Sequence, residues 1–356
     1  MYTAYELLSI NQASRDDKVI KKTKINIKKN EHQYEGKHHK INYLEIKKKK
    51  SKYMVVVFSG FNGKETEGMP GKYNYMRTLE DIKVNKLFIK DSVDNIPVYY
   101  MGENGSTGYL NDVCRLIEEK LIEMEIDKDN LILAGSSKGG TGALLVGLEI
   151  AAGHIIAGAH QLNVGTYLNS LNKKLKSMLF TKIVGHDGGD APEILDRKFR
   201  EKFLVSDAKS NFYFHGGNRD SHYVSHMVPL LRHFDDKGIL YELDLRSYVG
   251  HDNVMKYFPG FFVRKVKEII TRTNLDVPNI KSHGDETEIT VNVLNPQRKD
   301  DIDWAIYVYG KDGKIEKIMY NSNPVHRIPI EYEDVRSVKV FLRVNEKKVQ
   351  TKEYHV

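Results

Sequence analysis

The apolar run Leu131–Ala134 passes directly into Gly135–Ser136–Ser137–Lys138–Gly139–Gly140, and a small, apolar stretch, Gly142–Ala152, follows. This is G-x-S-x-G at a strand–turn–helix junction. The turn is so tight that Ser137 must adopt a strained backbone, and side chains at positions 135 and 139 would collide with neighbouring backbone. The serine oxygen then projects above the sheet, while the Lys138 amide points to where an oxyanion would form, at the positive end of a helix. Chance would produce roughly 0.1 such matches in a chain of this length and composition.

The surrounding pattern agrees with that junction. Residues 22–275 alternate short apolar runs with helix-like stretches. Strands are expected at Lys24–Lys28, Tyr43–Ile46, Met54–Phe58, Ile96–Met101, Leu131–Ala134, Ile155–Ala159, Phe212–Phe214 and Leu240–Leu245. Helices are expected at Tyr109–Met124, Gly142–Ala152, Val224–Phe234 and Val254–Thr271. Eight strands with helices interleaved from the third onward predict a mostly parallel sheet covered on both faces. The polar, lysine-rich residues 161–210 interrupt the rhythm and read as a lid or cap insertion. Residues 272–286, with Pro278 and Gly284, read as a linker. From 287 to 356 the chain carries strands only, as in Val338, Val340 and Leu342, which predicts a small antiparallel β-sandwich. The expected domains are 1–275 and 287–356. Because the second has its own alternating strands, truncation near Asn279 should spare the first.

A serine nucleophile needs a base and a group that orients the base. The seventh predicted strand runs into His215–Gly216–Gly217–Asn218–Arg219–Asp220, and the eighth into Tyr248–Val249–Gly250–His251–Asp252. Ser137, Asp220 and His251 therefore fall on one carboxyl edge of the sheet in the chain order Ser–acid–His. Asp190 and Asp252 are rival acids. The loop after the third strand, Phe58–Ser59–Gly60–Phe61–Asn62–Gly63, should supply the second oxyanion donor, the amide of Phe61. Gly60 allows close backbone approach to a substrate, and Asn62 beside it is a second substrate-binding candidate and the alternative donor to Phe61.

These residues resemble the α/β-hydrolase fold, with its nucleophile elbow, acid loop and terminal histidine. Within it the elbow is similar to proteins of bacterial surface-glycan biosynthesis: the XcbB/CpsF-type capsule proteins and the accessory Sec components that O-acetylate glycans on exported adhesins. The strands Trp304–Tyr309, Lys314–Tyr320 and Val338–Arg343 resemble the small three-Y β-domain of such proteins, although Asp334–Val335–Arg336 stands where that domain has a glycine. The resemblance implies a serine acyl-ester hydrolase or O-acyltransferase. It also implies a glycan or acyl-ester substrate and partners in glycan synthesis or export. The alternative is a hydrolase-like assembly or binding component that performs no chemistry. A third reading is a peptidase or a lipase, of which the lipase fits least, since no long apolar lid helix is apparent.

Other patterns narrow the field. The basic excess, 55 lysines and arginines against 48 acids, concentrates in Lys18–Lys24, Lys28–Lys29 and Lys47–Lys52. It fits exposed strand edges, or a weak peripheral association with an anionic membrane surface. No nucleic-acid partner is expected. Gly139–Gly140–x–Gly142 matches neither a P-loop nor a dinucleotide fingerprint, so no cofactor is expected. His222 and His226 stand four apart, as a zinc pair would on a helix, but no H-E-x-x-H accompanies them, and no metal is expected. His186–Asp187 and Asp190 read as a glycine-rich loop. The Lys138 side chain fits either a contact to an anionic substrate group or a solvated lysine. A single cysteine, Cys114, placed in or beside the core, gives no disulfide framework. The longest apolar runs are too short to span a membrane, and Met1–Ser14 lacks the features of a signal peptide. Together these favour the cytoplasm.

Overall fold

The computed structural model describes residues 24–61, 71–297 and 299–356. The chain divides into two compact units, Met1–Lys265 and Val266–Val356. Among the described residues no helix is long and apolar enough to cross a membrane.

The first unit is an α/β-hydrolase fold. Its eight strands are β1 (Glu31–Glu35), β2 (Lys40–Ile46), β3 (Met54–Phe58), β4 (Asn85–Ile89), β5 (Leu131–Ser136), β6 (His154–Gly158), β7 (Asn211–Arg219) and β8 (Tyr241–Val249). They lie in the order β1-β2-β4-β3-β5-β6-β7-β8. β1 and β2 join by antiparallel pairing; β4, β3, β5, β6, β7 and β8 run parallel. Every residue of β3, β5 and β6 is buried, as strands covered on both faces require. The helices α2 (Gly108–Glu123), α3 (Lys138–Glu149), α7 (Val228–Lys237) and α8 (Val254–Thr271) follow the predicted positions. A π-helical turn, Tyr223–Met227, leads into α7. The 161–210 insertion is helical: α4 (Val164–Asn169), α5 (Lys173–Val184) and α6 (Ala191–Phe203).

α3 packs closely because its face is made of glycines. A Cβ on Gly142 would lie 2.5 Å from the Tyr100 ring, and one on Gly147 would lie 2.5 Å from Ile155. Burying the intervening Leu144, Leu145 and Val146 contributes about 1.5–3 kcal/mol each.

Two expected strands are misplaced. Residues 24–30 are helical (α1) despite the Ile25–Ile27 alternation. The first strand is instead the polar Glu31–Glu35, which is made by pairing with β2 rather than by its own pattern. Ile96–Met101 is not a strand either. The amides of Val98, Tyr99 and Tyr100 all donate to the Asp91 carboxylate, at 3.2, 2.9 and 3.1 Å, which bends this apolar run into a turn. The strand that takes its place, β4, offers only Leu87–Ile89 as an apolar run.

The second unit is all β. β10 (Asn279–His283), β11 (Glu286–Thr290) and β15 (Val325–Ile328) form one sheet; β14 (Ile315–Asn321), β13 (Ile302–Gly310), β16 (Val335–Val344) and β17 (Lys347–His355) form another. The short strands β9 (Asn274–Leu275) and β12 (Val293–Leu294) pair separately. Ile289 and Ile328 from the first sheet share one core with Trp304, Ile306, Val308, Val338, Val340 and Leu342 from the second. β9 and β10 lie within the stretch read as a linker: β9 pairs with β12, and β10 forms a hairpin with β11 across Gly284–Asp285, although neither carries local apolar alternation.

Candidate active site

Ser137 begins α3 with φ 54° and ψ −128°. L-residues rarely adopt that conformation, and here the surroundings impose it. The Ser137 amide donates to the Gly158 carbonyl at 2.8 Å. A Cβ at Gly135 would stand 2.3 Å from the Gly139 carbonyl oxygen, and one at Gly139 would stand 2.4 Å from that of Phe58. Both glycines are demanded by backbone contact, as the sequence predicts. Gly60 differs: its nearest neighbour, Asn74 Oδ1, would lie 3.7 Å from an added Cβ.

The acid and base arrive from the ends of β7 and β8. Asp220 follows β7 and is 1% exposed, and its amide donates to Gly217. His251 sits in the 3₁₀ turn His251–Asn253 after β8 and Gly250, where φ is 77°. His251 Nε2 lies 2.8 Å from Ser137 Oγ, and its Nδ1 lies 3.0 Å from Asp220 Oδ2. A carboxylate can only accept, so Nδ1 carries the proton and Nε2 presents its lone pair to the serine hydroxyl. The structure thus brings Ser137, His251 and Asp220 into one series. Asp252 is exposed beside His251, and Asp190 is exposed near His186, so neither rival holds the Asp220 position.

Asp220 has a second histidine. The His222 ring stacks on His251 with centroids 3.7 Å apart and planes 15° from parallel. The His222 amide donates to Asp220 Oδ1 at 2.9 Å, and His222 Nδ1 lies 3.3 Å from the same oxygen. Burial works against the charge on Asp220, but the hydrogen bonds from His222 and His251 outweigh it and hold the carboxyl below the usual carboxylate range. Burial, partly offset by Asp220, lowers the His222 pKa. Burial, followed by repulsion from neighbouring imidazoles, pushes His226 down to about 4 and His160 down to about 3.

Ligand atoms of Asp220, His222 and His251 lie within 4.8 Å of one another. Their geometry does not suit a metal, because two nearly parallel stacked rings cannot aim both Nδ1 lone pairs at one ion. His222 and His226, weighed as a zinc pair, instead meet as tilted rings 5.1 Å apart. The Asn163 amide donates to His226 Nδ1 at 3.2 Å, tying this cluster to the insertion.

The proposed oxyanion donors lie on the nearby chain. The Lys138 amide opens α3, where no intrahelical carbonyl can reach it. Phe61 follows Gly60, whose own amide donates to Asn74 Oδ1 at 2.8 Å. Asn62 lies outside the described residues. The Lys138 side chain corrects both sequence readings: it is neither solvated nor aimed at a substrate, but fully buried against Asp91. Cys114 is buried, which pushes its thiol up to about 12. Sequence reasoning missed two groups. Asp91 lies 47 residues from Lys138, and the sequence places His222 beside the acid loop without showing its stack on His251. Neither the buried ion pair nor the ring stack leaves a local pattern.

No family model matches the chain. It aligns with an accessory Sec system protein of Staphylococcus aureus at 26% identity over 186 residues, which is 49% of this chain and 34% of that protein. The match therefore spans about a third of that relative's length. Among solved structures, the chain is similar to the capsule O-acetyltransferase of Neisseria meningitidis serogroup A, with TM-score 0.55 and 24% identity over 66% of this chain and 94% of that one. It is also similar to the Glycosylation Associate Protein complex from Streptococcus agalactiae, with TM-score 0.59 and 19% identity over 68% of this chain and 47% of that one. At these identities the likeness lies in the shared α/β-hydrolase fold.

Proposed function

We propose that this chain is a serine-dependent acyl-ester hydrolase or O-acyltransferase acting on bacterial surface glycans or exported glycoproteins. The observation that carries the reading is the hydrogen-bonded series from Ser137 Oγ through His251 to Asp220. In the first half-reaction His251 Nε2 takes the Ser137 proton as Oγ bonds to the ester carbonyl carbon. The amides of Lys138 and Phe61 receive the negative oxygen, an effect worth roughly 3–4 kcal/mol per donor in known cases. The bond to the leaving oxygen then breaks, and His251 returns the proton to it. In the second half-reaction His251 deprotonates the incoming hydroxyl, which takes the acyl group as the carbon–Oγ bond breaks. Water as acceptor gives hydrolysis, and a sugar hydroxyl gives acyl transfer. Asp220 holds the Nδ1–H tautomer and stabilises the imidazolium.

Two supports stand beside the geometry. The strained backbone of Ser137 costs stability, and a non-catalytic assembly component would have no use for that cost. The printed names of the relatives, one an accessory Sec protein, one a capsule O-acetyltransferase and one part of a glycosylation complex, favour a glycan acceptor. In that setting the acyl transfer would take place in the cytoplasm. The test is acetyl transfer to a purified surface polysaccharide from acetyl-CoA or p-nitrophenyl acetate, followed by NMR of the sugar. We expect Ser137-dependent O-acetyl signals. Donor consumption in the polysaccharide's presence, with free acetate as the sole product, would assign a hydrolase instead.

A further inference from the structure

A lysine with no exposed surface is rare unless it is paired. Lys138, the residue after the proposed nucleophile, has its Nζ 2.9 Å from Asp91 Oδ2, and both side chains are 0% exposed. Besides accepting from Lys138, Asp91 accepts from the amides of Val98, Tyr99 and Tyr100. Tyr99 and Tyr100 take left-handed φ values of 53° and 57° to present them. On its other side Asp91 reaches the loop after β3: its amide donates to Ser59 Oγ at 3.2 Å. The Tyr100 hydroxyl completes the link, 3.0 Å from Ser59 Oγ and donating to the Ser59 carbonyl at 3.1 Å. Asp91 is thus joined to Lys138 by one contact and to Ser59, two residues before Phe61, by others.

A buried ion pair is weak evidence of stabilisation, because well-packed apolar residues of similar size often do as well. Its geometric effect is more specific. Neither charge can leave without stranding the other in the interior, so the pair acts as a strut of fixed length. We propose that Asp91 is a positioning residue that, through Lys138 and Ser59, fixes the separation of the two oxyanion donors, the amides of Lys138 and Phe61. This rests on the reading of Ser137 as the nucleophile.

The experiment compares the parent with Asp91→Asn, Lys138→Met and the double variant. It measures turnover of p-nitrophenyl acetate and inhibition by a trifluoromethyl ketone, whose adduct places its oxygen in the oxyanion position. Loosened donors should lower kcat about 10- to 100-fold and raise the ketone Ki in parallel, with KM within about twofold. Thermal melts identify the folded variants. Should a single variant fail to fold because it strands a charge, the double variant carries the test: it removes both charges and should fold, with kcat about tenfold below parent. Folded variants with parental kcat and Ki would overturn the proposal and leave the pair a structural feature only. Ser137→Ala is the control for the underlying reading. If turnover survives that change, the catalytic reading fails and the role of Asp91 fails with it; if turnover is lost there yet unchanged in the Asp91 and Lys138 variants, only the positioning proposal fails.

Discussion

The two sides of the site are held by different physics. On the nucleophile side, β5, Ser137 and α3 are fixed by backbone contact: glycine stands at 135 and 139 because carbonyl oxygens occupy the space a Cβ would need. On the acid–base side, His251 is 26% exposed at the end of β8, a strand with few buried residues, and its fixed contacts are the Asp220 carboxylate and the His222 ring. The first side depends on shape and should respond to added volume. The second depends on charge and hydrogen bonding and should respond to isosteric neutralisation and to pH.

The largest expected effect on stability breaks the steric side. Gly135→Ala sets a Cβ against backbone that has no room to yield, and should cost about 3 kcal/mol or more. For a chain of 356 residues that lowers Tm by about 4 °C or more, if the variant folds at all. A parental Tm would show that the elbow can relax, and the contrast between the two sides would collapse.

The next effect sharpens the electrostatic side. Asp220→Asn preserves shape but removes the charge that sets the His251 tautomer. Turnover of a small ester should fall roughly 10³- to 10⁴-fold, with a moderate fall in Tm beside it, because the ionised carboxylate that His222 and His251 stabilise is gone. A loss under tenfold would mean that another group orients His251.

A smaller effect reads the histidine cluster behind Asp220. His226 and His160 are held at about 4 and about 3, below the ordinary 6.5, so they stay neutral in the folded protein. The unfolded chain takes up protons on them below about pH 6.5, so over that range it binds more protons than the native state. Stability should therefore be full above pH 6.5 and fall with pH toward the folded values; the depressed Asp220 carboxyl adds a loss of the same sign below about pH 4. Urea unfolding should show a loss on the order of 2–3 kcal/mol between pH 7 and pH 5.5, and a shallower slope in His160→Leu. A flat profile would mean that the cluster is hydrated.

The same division decides what could be read in the sequence. The elbow is legible because close backbone approach imposes glycine within five consecutive positions, and chain order places Asp220 and His251 on the same edge. The electrostatic support is not. Asp91 reaches Lys138 only because Val98–Tyr100 wrap it, and His222 stacks on His251 only because a π-helical turn follows the acid loop. Both are tertiary outcomes without local periodicity. The misplaced strands have the same origin: Glu31–Glu35 is made by its partner, and Ile96–Met101 is unmade by a carboxylate.

The central claim is that Ser137 is an activated nucleophile. Intact-mass spectrometry after reaction with a fluorophosphonate probe at neutral pH tests it most directly. One adduct is expected, located on Ser137, absent from Ser137→Ala and formed far more slowly in Asp220→Asn. An unmodified parent protein, or an adduct that persists in Ser137→Ala, would contradict it.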